Sequence, residues 1–402
     1  MIKTNAGIGI IDRLEAWRLG RRAGPVHVTV YPTNRCNLRC SICWQRWSEI
    51  ERQELPDDRL MRLVDECADA GVADWLFVGG GEPMVRGELM MKMMSRIRER
   101  GMNGCLQTNG TLFEEDQLEA LVKMGWYRVA VSVDGPDEAT NDAIRSNGSF
   151  AKATANIRRL VDMKQRLKSS LPGVCLYMTL TNLTYNRIDE MVELSHSLGC
   201  DTTFSISELI VRGKRCQELA LTPEQRSRLP EHLNRAEDKA RAYGLETNFS
   251  MYLSTSESEN KKTARRSQFP PNDMANAVCF EPWLRIAILP DGRTGPCCSF
   301  WAADADTVEA KTLEEVWHGA YMERVRKQLI EHQPPAYCAH CSSDNLALTR
   351  QLREAYREYR SLRGGRLLVY LACKGLKSFR RDGLIKTAGR AKEWLLLQRG
   401  RQ

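Results

Sequence analysis

A long apolar run is what this chain of 402 residues most plainly lacks. No stretch approaches ~20 consecutive apolar residues, so no membrane-spanning helix is expected. Residues 1–24 hold Arg18, Arg21 and Arg22 but no apolar core of a signal peptide, so secretion is not expected either. There is no internal repeat, which sets aside solenoids and propellers. Positive excess is missing from most of the chain. Arg350 to Gln402 carries fifteen Lys/Arg against four Asp/Glu, a surplus of eleven, while the whole chain sums to +8; residues 1–349 therefore sum to −3. No recognisable nucleic-acid module accompanies the basic stretch, and no nucleic-acid partner is expected.

Cysteine, by contrast, is plentiful: there are fourteen. The chain is too long for a small disulfide-stapled scaffold and shows no secretory start, so these thiols read as reduced. Reduced thiols point to the cytoplasm. The length allows two or three domains.

Three of the cysteines form one run, Cys36, Cys40 and Cys43, at C-x3-C-x2-C spacing. The run follows Val26 to Tyr31, an apolar stretch that reads as a strand. Three thiolates from one short loop suit a [4Fe–4S] cluster whose fourth iron is left open. A structural zinc would need a fourth protein ligand nearby, and no Cys or His follows within the next several residues. The bland alternative is a structural metal loop. Four further stretches follow in order: Gly80-Gly81-Glu82-Pro83 after a second apolar run, Gln107-Thr108-Asn109-Gly110-Thr111, Ser132-Val133-Asp134-Gly135, and Asp142-Ala143-Ile144-Arg145 with Gly148-Ser149-Phe150.

Together these five motifs resemble the radical S-adenosylmethionine (radical SAM) enzymes. The resemblance implies that the open iron chelates the amino and carboxylate groups of SAM. It implies that Gly80, Gly81, Glu82 and Pro83 hold the SAM amino group, and that Ser132 and Arg145 contact its ribose and carboxylate. Asn109 and Asp134 join the expected cofactor-binding set. One position departs from the pattern. The residue before the third cysteine is often aromatic in that family and packs on adenine, whereas here it is Ile42; Trp44 is either its substitute or a core residue.

A second constellation lies towards the C-terminus. Cys279 opens Cys279-Phe280-Glu281-Pro282-Trp283, Gly292 and Cys297 follow at G-x4-C spacing, and Cys338 and Cys341 form C-x2-C. Local spacing leaves a four-cysteine zinc ribbon and a fully ligated [4Fe–4S] cluster equally open. The pattern resembles the start and end of the SPASM auxiliary-cluster region, called twitch when shortened. With the radical SAM motifs upstream, that resemblance implies a second [4Fe–4S] cluster. Cys298 is an alternative to Cys297.

Short apolar runs alternate with amphipathic stretches, the pattern of βα units around a parallel sheet. Strands are expected near 26–31, 74–79, 103–107, 127–133, 174–180 and 201–207. Helices are expected at about 57–71, 87–100, 114–124, 150–168 and 187–198, and Thr222-Pro223-Glu224-Gln225 opens another. The fold class expected is α/β: a partial (β/α)6 TIM-like barrel, a small C-terminal auxiliary-cluster domain and a helical basic tail. The divisions are 1–24, an N-terminal helical extension; 25–215, the barrel; 216–278, a last helix and strand with a polar linker; 279–345, the auxiliary domain; and 346–402, the tail. Ligands bind at the carboxyl ends of barrel strands, where the motifs fall.

In the tail, Leu384, Ala388, Ala391 and Leu395 recur at helical spacing with Trp394 alongside. This reads either as a membrane-surface helix meeting anionic lipid or as a helix whose apolar stripe packs on the barrel. The first reading places the protein at the inner face of the membrane.

The resemblance implies one-electron cleavage of SAM, fed by a flavodoxin- or ferredoxin-type reductant, to give a 5′-deoxyadenosyl radical that abstracts hydrogen. The expected substrate is a small molecule or glycan, undergoing net oxidation or epimerisation. The twitch pattern resembles that of an aminocyclitol dehydrogenase of antibiotic biosynthesis, and about 25 residues before the first strand are too few for a leader-peptide-binding domain. The alternative is a maturase of ribosomal peptides. The non-enzymatic alternative is an iron–sulfur electron-transfer or zinc-scaffold protein. An epimerase needs a hydrogen donor, for which Cys216 and Cys298 are candidates, with Cys175 and Cys105 also spare.

Overall fold

The computed structural model describes residues 7–43, 53–211, 213–253, 269–270, 272–297, 302, 304–341 and 343–362. Trp44, Cys298 and the tail positions Leu384, Ala388, Ala391, Trp394 and Leu395 lie outside the described residues, as do the polar stretch 254–268 and all of 363–402.

The barrel is built from alternating elements: α1 (Gly7–Arg18), β1 (His27–Val30), α2 (Asp57–Asp69), β2 (Asp74–Phe77), α3 (Gly87–Glu99), β3 (Asn103–Thr108), α4 (Glu115–Lys123), β4 (Arg128–Ser132), α5 (Glu138–Ile144), α6 (Ser149–Arg166), β5 (Gly173–Leu180), α7 (Ile188–Ser197) and β6 (Thr203–Glu208). Helix α2 shows why these segments fold as they do. Asp57 and Asp58 sit in its first turn, where the helix dipole favours negative charge, and Leu60, Leu63, Val64 and Cys67 are buried along one stripe.

The strands run parallel and alternate their faces. On β4, Val129 and Val131 join the large core beneath the helices. Ala130 instead packs with Cys105, Cys175 and Leu76 in a small cluster on the other, concave face. Ser132 shares that face one step nearer the carboxyl end, and its strand partner is Tyr177.

The chain continues through α8 (Gly213–Leu219), α9 (Pro223–Ala242), β7 (Glu246–Thr247), α10 (Ser250–Leu253), β8 (Arg285–Ile288), β9 (Thr294–Gly295), α11 (Leu313–Trp317), α12 (Ala320–Ile330) and α13 (Ser343–Ser361). Thr222 caps α9 as expected, accepting from the Gln225 N–H.

Among the described residues the sheet has nine strands, in the order β7-β6-β5-β4-β3-β2-β1-β8-β9, and it is an open partial barrel. Six strands were expected; the difference lies mostly at the β1 edge. Strand β8 pairs in parallel with β1, His27 opposite Arg285 and Val30 opposite Ile288, and β9 closes an antiparallel hairpin on β8. Ile286 and Ile288 are fully buried in the same core as the barrel strands. The stretch after Cys279 thus extends the barrel sheet.

The division drawn at residue 346 falls inside α13. That helix is docked: Tyr356 and Tyr359 are buried, and the Tyr356 hydroxyl donates to Glu15 Oε2 at 3.0 Å. Among the described residues no helix is long and apolar enough to cross a membrane.

Candidate functional site

The first three cysteines lie on the loop that leaves β1 at its carboxyl end. Cys36 is exposed, while Cys40 and Cys43 are half-buried. The base of the loop is held by two residues that sequence reasoning did not single out. Glu54 Oε1 accepts the Thr33 hydroxyl at 2.6 Å and the Asn34 N–H at 2.9 Å, and the Arg35 guanidinium stands 3.4 Å from Glu54 Oε2. Burial pushes the Glu54 carboxyl up, but these donors and Arg35 outweigh it and hold it below the usual range. Arg86 donates to Pro32 O at 2.7 Å and Leu55 O at 3.1 Å.

The loop is then tied to its neighbours. Asn37 Nδ2 donates to Thr111 Oγ1 at 2.8 Å, the Arg39 N–H to Ser146 Oγ at 3.0 Å, and the Ser41 N–H to Ile144 O at 2.8 Å. Burial pushes the Cys40 thiol up to about 11, and Arg145 opposes that.

The Gly80–Pro83 segment packs directly on this loop. The Gly81 N–H donates to Thr33 O at 2.7 Å and the Glu82 N–H to Arg35 O at 2.9 Å. A Cβ at Gly81 would lie 1.9 Å from Arg35 O, so only glycine permits this approach. The Glu82 carboxylate is buried and accepts the Thr108 hydroxyl at 2.6 Å, the Asn109 N–H at 2.6 Å and the Met84 N–H at 3.1 Å. Burial raises its pKa against the pull of those donors. Its oxygens are thus engaged in holding the 107–111 turn against Gly80–Pro83. The Asn109 side chain completes the tie, donating to Asn37 Oδ1 at 2.8 Å.

Arg145 sits at the centre of this group. Its Nε is 2.6 Å from Asp134 Oδ2 as an ion pair, and Asp134 is fully buried. Burial works against the Arg145 charge, but Asp134, Cys40 and Glu82 together raise its pKa, so it stays cationic beside the cysteine loop. Asp134 also accepts the Thr179 N–H at 2.7 Å, which makes it the residue that orients Arg145. The Asp134 N–H in turn donates to Asn141 Oδ1 at 2.9 Å. Cys216 is buried beneath the loop, its thiol 3.7 Å from Ser41 O, which places it in the packing under the loop.

The second cysteine set comes from three separated segments. Cys279 precedes β8, and its sulfur accepts the Glu281 N–H at 3.4 Å and the Thr349 hydroxyl at 3.8 Å. Burial pushes its thiol up to about 12, and Cys341 adds to that rise. Cys297 follows β9, at the end of a hairpin whose turn residue Gly292 has φ +88°. Cys338 lies on the turn Ala336–His340, and the Cys341 N–H donates to Cys338 O at 3.2 Å. Cys297 and Cys338 both act on the Tyr337 hydroxyl, whose pKa burial and its neighbours raise. Buried Arg326 braces this region: it donates to Pro282 O at 2.9 Å and lies between the rings of Trp17 and Trp317 at 4.3 and 4.5 Å.

One apolar cluster joins the two regions, with Tyr31 and Ala287 packed against Val78, Leu289, Cys297 and Tyr337. Tyr31 directly follows β1, where the chain leads into the Cys36 loop. Both donor sets are purely thiol, the donor chemistry of iron–sulfur ligation, although among the described residues no three Cys, His, Asp or Glu are drawn close enough together to hold a single metal ion.

Residues 30–195 match the radical SAM superfamily, and residues 279–342 match SPASM, an iron–sulfur cluster-binding domain. The chain belongs to the radical SAM superfamily. Its cofactors are S-adenosylmethionine, a [4Fe–4S] cluster and the further iron–sulfur centre of a SPASM region.

Among curated relatives, it is 27% identical over 194 residues to a tungsten-containing aldehyde ferredoxin oxidoreductase cofactor-modifying protein of Pyrococcus furiosus, covering 48% of this chain and 51% of that one. It is 38% identical over 160 residues to Fe-coproporphyrin III synthase of Methanosarcina barkeri, covering 36% and 39%. It is 30% identical over 181 residues to PqqA peptide cyclase of Granulibacter bethesdensis, covering 44% and 46%. The chain thus spans about half the length, or less, of these relatives. In fold, this radical SAM chain is similar to SuiB of Streptococcus suis, with a TM-score of 0.62 at 16% identity, covering 78% of this chain and 70% of that one.

Proposed function

We propose that this radical SAM enzyme modifies a peptide. The sequence alone favoured a small molecule or glycan and kept a peptide maturase as the alternative. The alternative now has the better support: among the relatives are a PqqA peptide cyclase, the sporulation killing factor maturation protein SkfB of Bacillus subtilis and the mycofactocin maturase MftC.

The observation that carries the proposal is the contrast between two walls at the barrel mouth. Tyr31, Val78, Leu289 and Tyr337 form an apolar wall between the two cysteine sets. Across the sheet, Ser132, Tyr177 and Ser205 share one register row of β4–β6, and Thr179 and Ser207 the row above. An apolar surface for a side chain on one side, and on the other the hydroxyls of Tyr177, Thr179, Ser205 and Ser207 for backbone amides, beside the Asp134–Arg145 ion pair, suit an extended peptide.

In this reading Cys36, Cys40 and Cys43 hold the SAM-binding cluster, and Cys279, Cys297, Cys338 and Cys341 the auxiliary one. Arg145 pairs with the SAM carboxylate, Ser132 with its ribose hydroxyls, and the Gly80–Pro83 backbone with its amino group. Asp134 orients Arg145, and Glu82 and Asn109 hold the loop that carries these contacts. Cluster and SAM together supply a 5′-deoxyadenosyl radical, using one electron from a flavodoxin- or ferredoxin-type donor. The protein's own part is to fix SAM, present the C–H bond and exclude water.

The test is to incubate the reconstituted enzyme with SAM and reductant in D2O, adding short peptides encoded beside its gene, sugars or iron porphyrins. 5′-Deoxyadenosine above the uncoupled level is expected only with a peptide. Loss of two hydrogens from the product marks oxidation or cross-linking, and one solvent deuterium marks epimerisation. Stimulation by a sugar or porphyrin and by no peptide would overturn the proposal. That outcome would favour a small-molecule substrate, the reading supported by the likeness to Fe-coproporphyrin III synthase.

A further inference from the structure

We infer that Thr349 on α13 is a positioning residue that tunes the auxiliary cluster through the sulfur of Cys279. The inference rests on Cys279 being a ligand of that cluster. Thr349 is buried at 6% exposure, and its hydroxyl is aimed across 70 residues of sequence at the Cys279 sulfur, 3.8 Å away. A helical threonine ordinarily bonds back to a carbonyl of the preceding turn; this one donates to the sulfur.

The helix is held in place for that contact by a row of side chains on the same face. Arg353 donates to Ala277 O at 3.0 Å and Val278 O at 2.9 Å. Arg357 donates to Ala275 O at 3.0 Å and Asn276 Oδ1 at 2.6 Å, and Arg360 pairs with Asp273. Positions 349, 353, 357 and 360 recur at helical spacing, so one stripe follows residues 273–279 and ends on the sulfur. Tyr356 and Glu15 anchor the helix from the α1 side. Cys279 therefore receives a hydroxyl donor in addition to the Glu281 N–H.

Reduction by one electron makes a cluster more negative. A donor on a ligand sulfur stabilises that state more than the oxidised one, so it raises the potential. Thr349→Val keeps the side chain's shape and removes the donor; Thr349→Ser keeps the donor.

The experiment is an EPR-monitored redox titration of the full-length chain, in a background with Cys36, Cys40 and Cys43 replaced by Ala so that the auxiliary cluster titrates alone. Thr349→Val is expected to lower the reduced-to-oxidised ratio at a fixed potential about tenfold, about 59 mV for a one-electron couple. Thr349→Ser is expected to stay at the parent value, with iron content unchanged in both. An unchanged potential in Thr349→Val with the cluster retained would overturn the inference. Loss of the cluster iron from Thr349→Val would overturn it differently, because the hydroxyl would then hold the ligand in place instead of tuning it. A Cys279→Ala variant that kept its auxiliary iron would instead overturn the reading of Cys279 as a ligand.

Discussion

The two cysteine sets are built in opposite ways. Cys36, Cys40 and Cys43 come from one short loop at the end of β1, and the turns that fasten it, Gly80–Pro83 and Gln107–Thr111, follow the next two strands of the same sheet. Cys279, Cys297, Cys338 and Cys341 come from three segments, and the site is completed by Thr349 on α13 and braced by Arg326 on α12. The first site needs little more than a strand, a loop and its neighbours. The second needs chain closure over a long stretch, which costs more entropy and so leans on more distant packing. The expectation that follows is a robust SAM site and an auxiliary site sensitive to remote damage.

The largest effect separates the two sites outright. With two four-iron clusters per chain, about eight irons are expected. Replacing Cys36, Cys40 and Cys43 by Ala should remove about half of them together with all SAM cleavage. Replacing Cys338 and Cys341 should remove the other half and leave slow, uncoupled cleavage. Stoichiometric zinc with only four irons would break the comparison, by making the second set a zinc site.

A truncation sharpens it. A chain ending at Leu346 loses most of α13, with buried Tyr356 and Tyr359, the Tyr356–Glu15 bond and the Thr349–Cys279 contact. It should lose auxiliary iron or solubility, whereas a chain ending at Leu362 should keep both clusters. The same pair tests the basic segment 363–402. If it meets anionic lipid at about 1 kcal/mol per basic residue, the full chain should co-sediment with anionic vesicles at low salt, less at high salt, and the chain ending at Leu362 should not. Equal sedimentation of both would discard the membrane reading and the glycan substrate inferred from it.

Within the first site the expected effects are smaller. Ser132→Ala should weaken SAM binding by roughly 0.5–1.5 kcal/mol and Arg145→Ala by roughly 1.5–3 kcal/mol, with both clusters present by iron assay. Arg145→Ala also strips the fully buried Asp134 of its ion-pair partner. Its melting temperature should therefore fall while that of Ser132→Ala stays near the parent. SAM affinities equal to the parent in both variants would remove these residues from the SAM site.

The smallest effect concerns Glu54. Its carboxyl is held below the usual range, so its contribution is present above the unfolded pKa, about 4.3, and is lost as pH falls through the lower folded value. Glu54→Gln should flatten the acid side of the stability profile and loosen the Cys36 loop, read as faster iron loss on mild acidification. An unaltered profile would show that Arg86 suffices to hold the loop.

The motifs were legible because their chemistry is local. A cluster loop needs closely spaced thiols, and Gly81 must be glycine because Arg35 O leaves no room for a side chain. The strands of the barrel and its longer helices were legible from their periodicity, to within a few residues at their ends, whereas the short α5 (Glu138–Ile144) was not. Glu54, Arg86 and Asn141 were not legible, because a polar residue in a loop reads the same whether it faces water or clamps a neighbour. Asp134 was noticed as a motif residue, but its work of orienting Arg145 depends on Thr179, a residue of the adjacent strand.

By itself, the sequence determined the two runs of thiols and the βα alternation, which rest on residue type and spacing along the chain, and its motifs carried the resemblance to the radical SAM enzymes. Tertiary structure alone decided that β8 would pair with β1 and that the arginines of α13 would be spent on the carbonyls of 275–278. Strand pairing and the partner of a charged side chain depend on which surfaces meet when the core closes. Spacing along the chain carries no record of that.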